Sequence, residues 1–311
     1  MDLHPDQLQA LLAVSDLGTF EAAARHLSIT PSAVSQRMKA LESAVGRVLL
    51  TRTKPVTITE SGRVVLRLAR QLALLHADAA RALDGDAERA LSMPIAINAD
   101  SLATWALEPL AELATTSGLV FDVYREDQAH STDLLRAGTV MAAVTSEPVA
   151  VQGCSVTPIG RMRYRPMASR SFVERWFPSG VTASALATAP VVLFDRKDTL
   201  QHRYLERVTG GTANPQMHYT TQYTTHYIPT SVDFARAIRL GFGWGMLPDA
   251  QSSDAQSGDA QSSNAQSGDT GLVVIDHDSP VYVSLFWQQW KLESPSLAAV
   301  AVAIARAAPR D

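Results

Sequence analysis

At 311 residues, 46% hydrophobic and 19% charged, the chain is long enough for about two domains and too apolar for a disordered polymer. No apolar run reaches the roughly 18 residues of a membrane span. The N-terminal segment has no basic stretch leading into an apolar core, and the single cysteine, Cys154, excludes an internal disulfide. The expectation is a soluble protein of the reducing cytosol. Net charge is −4, yet nine cations between Glu21 and Arg70 face only Glu21, Glu42 and Glu60. A basic island on an acidic chain is the footprint of a nucleic-acid module carried by a larger body.

In chain order, Pro5–Leu17 reads as a helix with Leu8, Leu11 and Leu12 on one stripe, ended by Gly18. Thr19 caps a short second helix with Ala22, Ala23 and Leu27 inward. Thr30 caps a third that starts at Pro31, which suits a first helical position. In that third helix Val34, Met38 and Leu41 face inward. Ser32, Ser35, Gln36 and Lys39 fall on the opposite side, as a major-groove recognition helix requires. Val48–Ile58, rich in β-branched residues and broken by Pro55, reads as a two-stranded wing with Arg52 and Lys54 at its tip for phosphate or minor-groove contact. Together with Thr30 and Arg37 these form the candidate DNA-binding set.

Thr59 caps a long helix from Glu60 to about Leu83. Val65, Leu68, Leu72, Leu75, Ala79 and Ala82 recur on it at spacings of three and four, the signature of a two-helix seam. It reads as a dimerisation arm that ends in a hinge at Asp84–Arg89.

From Met93 the pattern alternates. Strands are expected at Pro94–Asn98, Val120–Glu126, Met141–Ser146, Met162–Met167, Val191–Phe194 and Gly243–Leu247. Helices are expected at Leu102–Thr116, Thr132–Ala137, Leu200–Thr209 and Val232–Leu240. This is an α/β layout with a mostly parallel sheet and room for two lobes. Residues 250–269 are four tandem five-residue units (Ala-Gln-Ser-Ser/Gly-Asp/Asn), too polar to fold by burial and expected to be a disordered insertion. The eight histidines show no paired metal-ligand spacing and no nucleophile–base set stands out, so neither a metal, nor a cofactor, nor an enzyme is expected.

The segments Thr19–Leu27, Thr30–Glu42, the Arg52 wing and Thr59–Gly62 resemble the N-terminal signature of LysR-type transcriptional regulators. Gly241-Phe-Gly-Trp-Gly-Met-Leu-Pro248 resembles the glycine-rich segment of the family's second lobe. Asn98–Trp105 and Phe177–Asp195 resemble the branch that governs arginine and lysine export. The resemblance implies an α+β multidomain chain: a winged helix-turn-helix (1–59), a linker helix (60–89) and a two-lobed effector domain similar to periplasmic binding proteins (90–311). Lobe I would comprise 93–167 and 271–311, and lobe II 168–270.

It also implies a homodimer or homotetramer on double-stranded promoter DNA, working with RNA polymerase and answering to a basic amino acid. For such an effector, Ser101 near a helix N-terminus suits the carboxylate, and Thr104 and Trp105 wall the pocket. Asp127 and Asp195, at strand ends, suit the cationic side chain, and Ser231 closes the site from the second lobe. A nucleoid-type protein that limits replication initiation would use the same DNA module and is the alternative.

Overall fold

The computed structural model describes residues 3–51, 53–84, 91–126, 131–208, 224–251 and 271–310. The chain divides into two compact units. One comprises Met1–Asn98, Glu108–Pro158 and Phe286–Arg306; the other comprises Ala99–Leu107, Ile159–Leu285 and Ala307–Asp311.

The first unit begins with α1 (Pro5–Leu17), α2 (Phe20–His26) and α3 (Pro31–Val45), followed by the wing strands β1 (Leu50–Thr51) and β2 (Thr57–Ile58). Each boundary has a local chemical cause. Gly18 and Gly46 take the left-handed conformation (φ 70° at both) that ends α1 and α3. The hydroxyls of Thr19 and Thr30 accept from the N–H groups of Ala22 and Ala33 at 3.1 and 3.2 Å. Leu8, Leu11 and Val14 meet Val34, Met38, Leu41 and Leu49 in one core. Full burial of each large side chain contributes about 1.5–3 kcal/mol.

Helix α4 (Glu60–Asp84) extends that core. Val65, Leu66 and Ala69 are buried in it, the Thr59 hydroxyl accepts from Gly62 N–H at 3.0 Å, and a Cβ on Gly62 would overlap the Leu49 carbonyl. Val65 therefore does not share the seam expected for α4. Leu72, Leu75, Ala79 and Ala82 of that seam are exposed. The hinge expected at 84–89 lies outside the described residues beyond Asp84.

The rest of this unit is built on β3 (Leu91–Asn98), β4 (Leu119–Glu126) and β5 (Ala142–Thr145), with β3 parallel to both neighbours. The crossovers are α6 (Leu107–Ser117) and α7 (Ser131–Ala137). Ile95, Ala96, Ile97 and Ala142–Val144 are fully buried, the continuous apolar reading of a strand covered on both faces. The C-terminal half of β11 (Val281–Trp290) pairs antiparallel with β5, and α12 (Pro295–Ala307) completes the unit.

The second unit contains β6 (Cys154–Ser169) from Ile159 onward, where it pairs antiparallel with both β9 (Gly245–Pro248) and β10 (Leu272–Val274). A small parallel pair joins β7 (Val191–Leu193) and β8 (Thr225–Tyr227). Helices α5 (Ala99–Thr104), α8 (Arg170–Trp176), α9 (Ala183–Leu186), α10 (Leu200–Val208) and α11 (Ser231–Arg239) fill the faces. Phe234, Ala237 and Ile238 of α11 pack on Met167, Val192 and Leu247. The glycine-rich segment follows from this packing. Gly241 (φ 81°) ends α11, and a Cβ on Gly245 would press into Phe234 and Ile238.

Three expectations are corrected. The strand pairing is mixed rather than mostly parallel: β9 and β10 run antiparallel to β6, and β11 antiparallel to β5, because each meets a partner far along the chain whose direction no βαβ crossover sets. The single helix expected over Leu102–Thr116 is two, α5 and α6. Pro109 has no N–H, and its ring would clash with the Trp105 carbonyl in a continuous helix, so it sits in the first turn of α6 instead. Strand β11 and helix α12 fall outside the sequence expectation, although the alternating burial of Val281, Val283, Leu285 and Trp287 has the period of a strand. Residues 252–270, most of the tandem repeat, lie outside the described residues.

Candidate functional site

The first candidate site is the exposed face of α3 and the wing. Inward Val34, Met38 and Leu41 fix the rotation of α3, which leaves Thr30, Ser32, Gln36 and Lys39 exposed and Ser35 half-buried. The Thr30 and Ser32 hydroxyls lie 2.9 Å apart, so the cap and the first helical turn form one polar tip. Glu42 Oε1 accepts from Leu49 N–H at 2.9 Å and ties the wing to α3. A groove of about 350 Å³ runs between helix and wing, lined by Thr19, Phe20, Ser32, Ser35, Thr53 and Lys54 among others. Arg37 is turned away from this polar tip. Its guanidinium pairs with Asp6 at 2.8 Å, so it braces α3 against α1. Lys54 is exposed at the wing tip, and Arg52 lies outside the described residues. Hydroxyls, an amide and cations on a protruding helix and wing provide both base-edge donors and phosphate contacts.

The second candidate site lies in the unit that contains Ala99–Leu107. Ser101 is fully buried in α5, and its hydroxyl lies 3.6 Å from the Met162 sulfur. Thr104 donates back to the Asp100 carbonyl at 2.6 Å, which closes the last turn of α5. Trp105 is half-buried, and its Nε1 is buried without a hydrogen-bond partner. Ser231 is the first residue of α11. The cap of that helix is Thr230, whose hydroxyl accepts from Asp233 N–H at 3.3 Å. Ser231 is thus free of capping, and its hydroxyl donates to Asp100 Oδ1. Asp100 Oδ2 accepts from the Tyr164 hydroxyl at 2.7 Å.

Asp100 is the hub that the sequence reading passed over, one residue before Ser101. Around it the electrostatics are one-sided. Burial pushes the Tyr164 phenol well above its usual pKa, and the Asp100 carboxylate adds to the shift. Burial also raises the Asp198 carboxyl. N–H donors from Phe194 and Leu200, each at 3.0 Å, oppose that shift, while the Asp100 and Asp195 charges reinforce it. Asp195 stands at the end of β7, as expected, and its Oδ1 accepts from the N–H groups of Lys197 and Asp198 at 2.6 and 2.9 Å. Asp127 lies outside the described residues. A half-buried carboxylate field with serine, tyrosine and indole donors suits a ligand that brings its own positive charge. Tyr164 had no local sequence signal, because it reaches Asp100 from mid-strand. Asp198 had one: a second acid three residues after Asp195, at a strand-to-helix turn.

Known proteins resemble the chain over almost its whole length. A family profile described as bacterial regulatory helix-turn-helix protein, lysR family, matches residues 5–63. The HTH-type transcriptional regulator LysG of Mycobacterium tuberculosis is 42% identical over 98% of this chain and 94% of its own length. The lysine export transcriptional regulatory protein LysG of Corynebacterium glutamicum is 39% identical over 98% of each. The structure of full-length LysG from Corynebacterium glutamicum with bound effector Arg is similar at 37% identity and a TM-score of 0.71, covering 98% of this chain and 97% of that one. With a winged helix-turn-helix, a long fourth helix and an α/β body that match these regulators from end to end, the chain belongs to the LysR family of transcriptional regulators.

Proposed function

We propose that this regulator controls export or metabolism of basic amino acids by binding lysine or arginine around Asp100 and altering how its winged modules hold promoter DNA. The observation that carries the reading is the carboxylate hub itself. Asp100 is held between Ser231 and Tyr164 with Asp198 nearby, in a chain similar to a LysG whose structure holds arginine. Ser101, Thr104 and Trp105 form one wall, Ser231 the facing one, and Asp127, Asp195 and Asp198 supply further negative charge. On the DNA side, Thr30, Ser32, Ser35, Gln36 and Lys39 read the major groove, and Arg52 and Lys54 grip the backbone. Arg37 positions α3 through Asp6.

The working form is a homodimer or homotetramer joined through the exposed α4 stripe, acting with RNA polymerase in the cytoplasm, without catalysis or cofactor. Among the described residues no helix is long and apolar enough to cross a membrane. Titration calorimetry of the full-length protein with arginine and with lysine tests the ligand half. Loss of a charge-assisted hydrogen bond costs about 1.5–3 kcal/mol, so Asp100→Ala is expected to weaken binding by about ten- to a hundredfold at unchanged fold. Equal affinity in wild type and variant, or no heat with either amino acid, contradicts the site.

A further inference from the structure

Helix α4 carries two stripes with different chemistry. One holds the exposed Leu72, Leu75, Ala79 and Ala82. The adjacent one runs Arg67, Arg70, Leu74, Asp78, Arg81 at helical spacing, and its charged members meet polar atoms of the same compact unit. Arg67 donates to the Gln152 carbonyl at 3.5 Å and lies against Gly138. Asp78 accepts from Ser294 Oγ at 2.5 Å on one carboxylate oxygen and from Ser296 Oγ on the other. Arg81 donates to Ser296 Oγ at 3.0 Å and to the Gly118 carbonyl at 3.5 Å.

We propose that Asp78, Arg81, Ser294 and Ser296 form a latch that clasps the C-terminal half of α4 to the start of α12, and that opening it frees the winged module to reorient. The two ends of α4 are attached by different forces. The N-terminal half is welded to the module by Val65, Leu66 and Ala69 in its core and by the Arg70–Asp16 pair. Among its described residues the C-terminal half buries only Leu74 fully and otherwise holds by a few polar contacts, each replaceable by water, against the many apolar side chains that fix the N-terminal half. The joint that yields first is therefore the polar one, and the module and α4 move together.

Ser294 makes the latch responsive. Its hydroxyl accepts from Leu297 N–H at 3.1 Å, so the residue that holds Asp78 also starts α12, and it follows β11 within four residues. Any shift of β11 or of the first turn of α12 is delivered directly to the Asp78 carboxylate. Only the last step, that an amino acid triggers the shift, rests on the function proposed above.

Asp78→Ala and the milder Ser296→Ala, each in the full-length protein, test the latch from its two sides. Amide hydrogen exchange without ligand is expected to accelerate by about tenfold or more in residues 72–83, while residues 8–41 keep the wild-type rate. The second reading is affinity for a duplex selected from a random pool by the wild-type protein, measured with and without millimolar arginine. Both variants are expected to keep wild-type heat of arginine binding but to lose most of the arginine-dependent change in DNA affinity, a coupling of typically about 5- to 150-fold. Unchanged exchange in 72–83 overturns the latch, whatever arginine does. Faster exchange with the arginine response intact overturns its role in transmission. A wild-type protein blind to both arginine and lysine overturns the proposed effector, while the exchange data still decide whether the latch exists.

Discussion

Asp100 draws together a tyrosine 64 residues and a serine 131 residues away in sequence, and its neighbourhood contains Asp195 and Asp198. Its consequences for pH follow from Asp198, whose folded pKa is raised by burial and by the Asp100 and Asp195 charges, beside the neutral Tyr164 phenol. A carboxyl of raised folded pKa contributes stability that is fully present below the ordinary carboxylate pKa and is lost as pH rises through the folded value. A bound guanidinium or ammonium reverses this preference, because it stabilises the ionised form. Arginine affinity is therefore expected to fall as pH drops through the raised Asp198 pKa, by up to about tenfold per unit. Calorimetry across the acid range checks this, and Asp198→Asn is expected to flatten the profile. A flat wild-type profile contradicts the coupling.

How much of this was legible varied with the distance over which each signal acts. Ser101 and Ser231 stand where a strand gives way to a helix, a position readable from local pattern; Ser101 follows Asp100 in α5, and Ser231 donates to it. Asp100 lies in the Asn98–Trp105 segment but reads as an ordinary first-turn acid. Only the tertiary approach of Tyr164 and Ser231 distinguishes it. Arg37 shows the same dependence on distance. Its position on α3 suits DNA, and its ion pair with Asp6 of α1, 31 residues away, is a tertiary contact that no local pattern announces.

Among the elements, the first four helices and the wing were legible almost to the residue, because threonine caps, Pro31 and two positive-φ glycines punctuate them locally. The α5–α6 break was readable in Pro109 but was overridden by the apolar periodicity around it. The antiparallel returns of β9, β10 and β11 were not readable, since pairing direction depends on partners far along the chain. Helix α4 has the most direct consequence. Leu72 and Leu75 are 46% and 37% exposed, a contiguous apolar stripe that a monomer leaves in water. Leu72→Glu/Leu75→Glu is expected to shift sedimentation toward monomer and to weaken duplex binding by about a hundredfold or more through lost bivalency. An unchanged sedimentation coefficient removes α4 as the assembly seam.

Taken whole, the molecule separates opposite charges. The basic island is concentrated in the winged module and α4, and Asp100, Asp195 and Asp198 gather in the other compact unit, where the proposed ligand would meet them. The net charge of −4 conceals this division, which only the local count reveals.

The most direct test is a DNase I footprint of the full-length protein on the DNA flanking its own gene, with and without millimolar arginine or lysine. The account predicts one discrete protected site. Its boundaries or hypersensitive positions change on adding a basic amino acid for the wild type, but not for Asp100→Ala. Continuous coating of AT-rich DNA, or a discrete footprint identical with and without both amino acids, would contradict it.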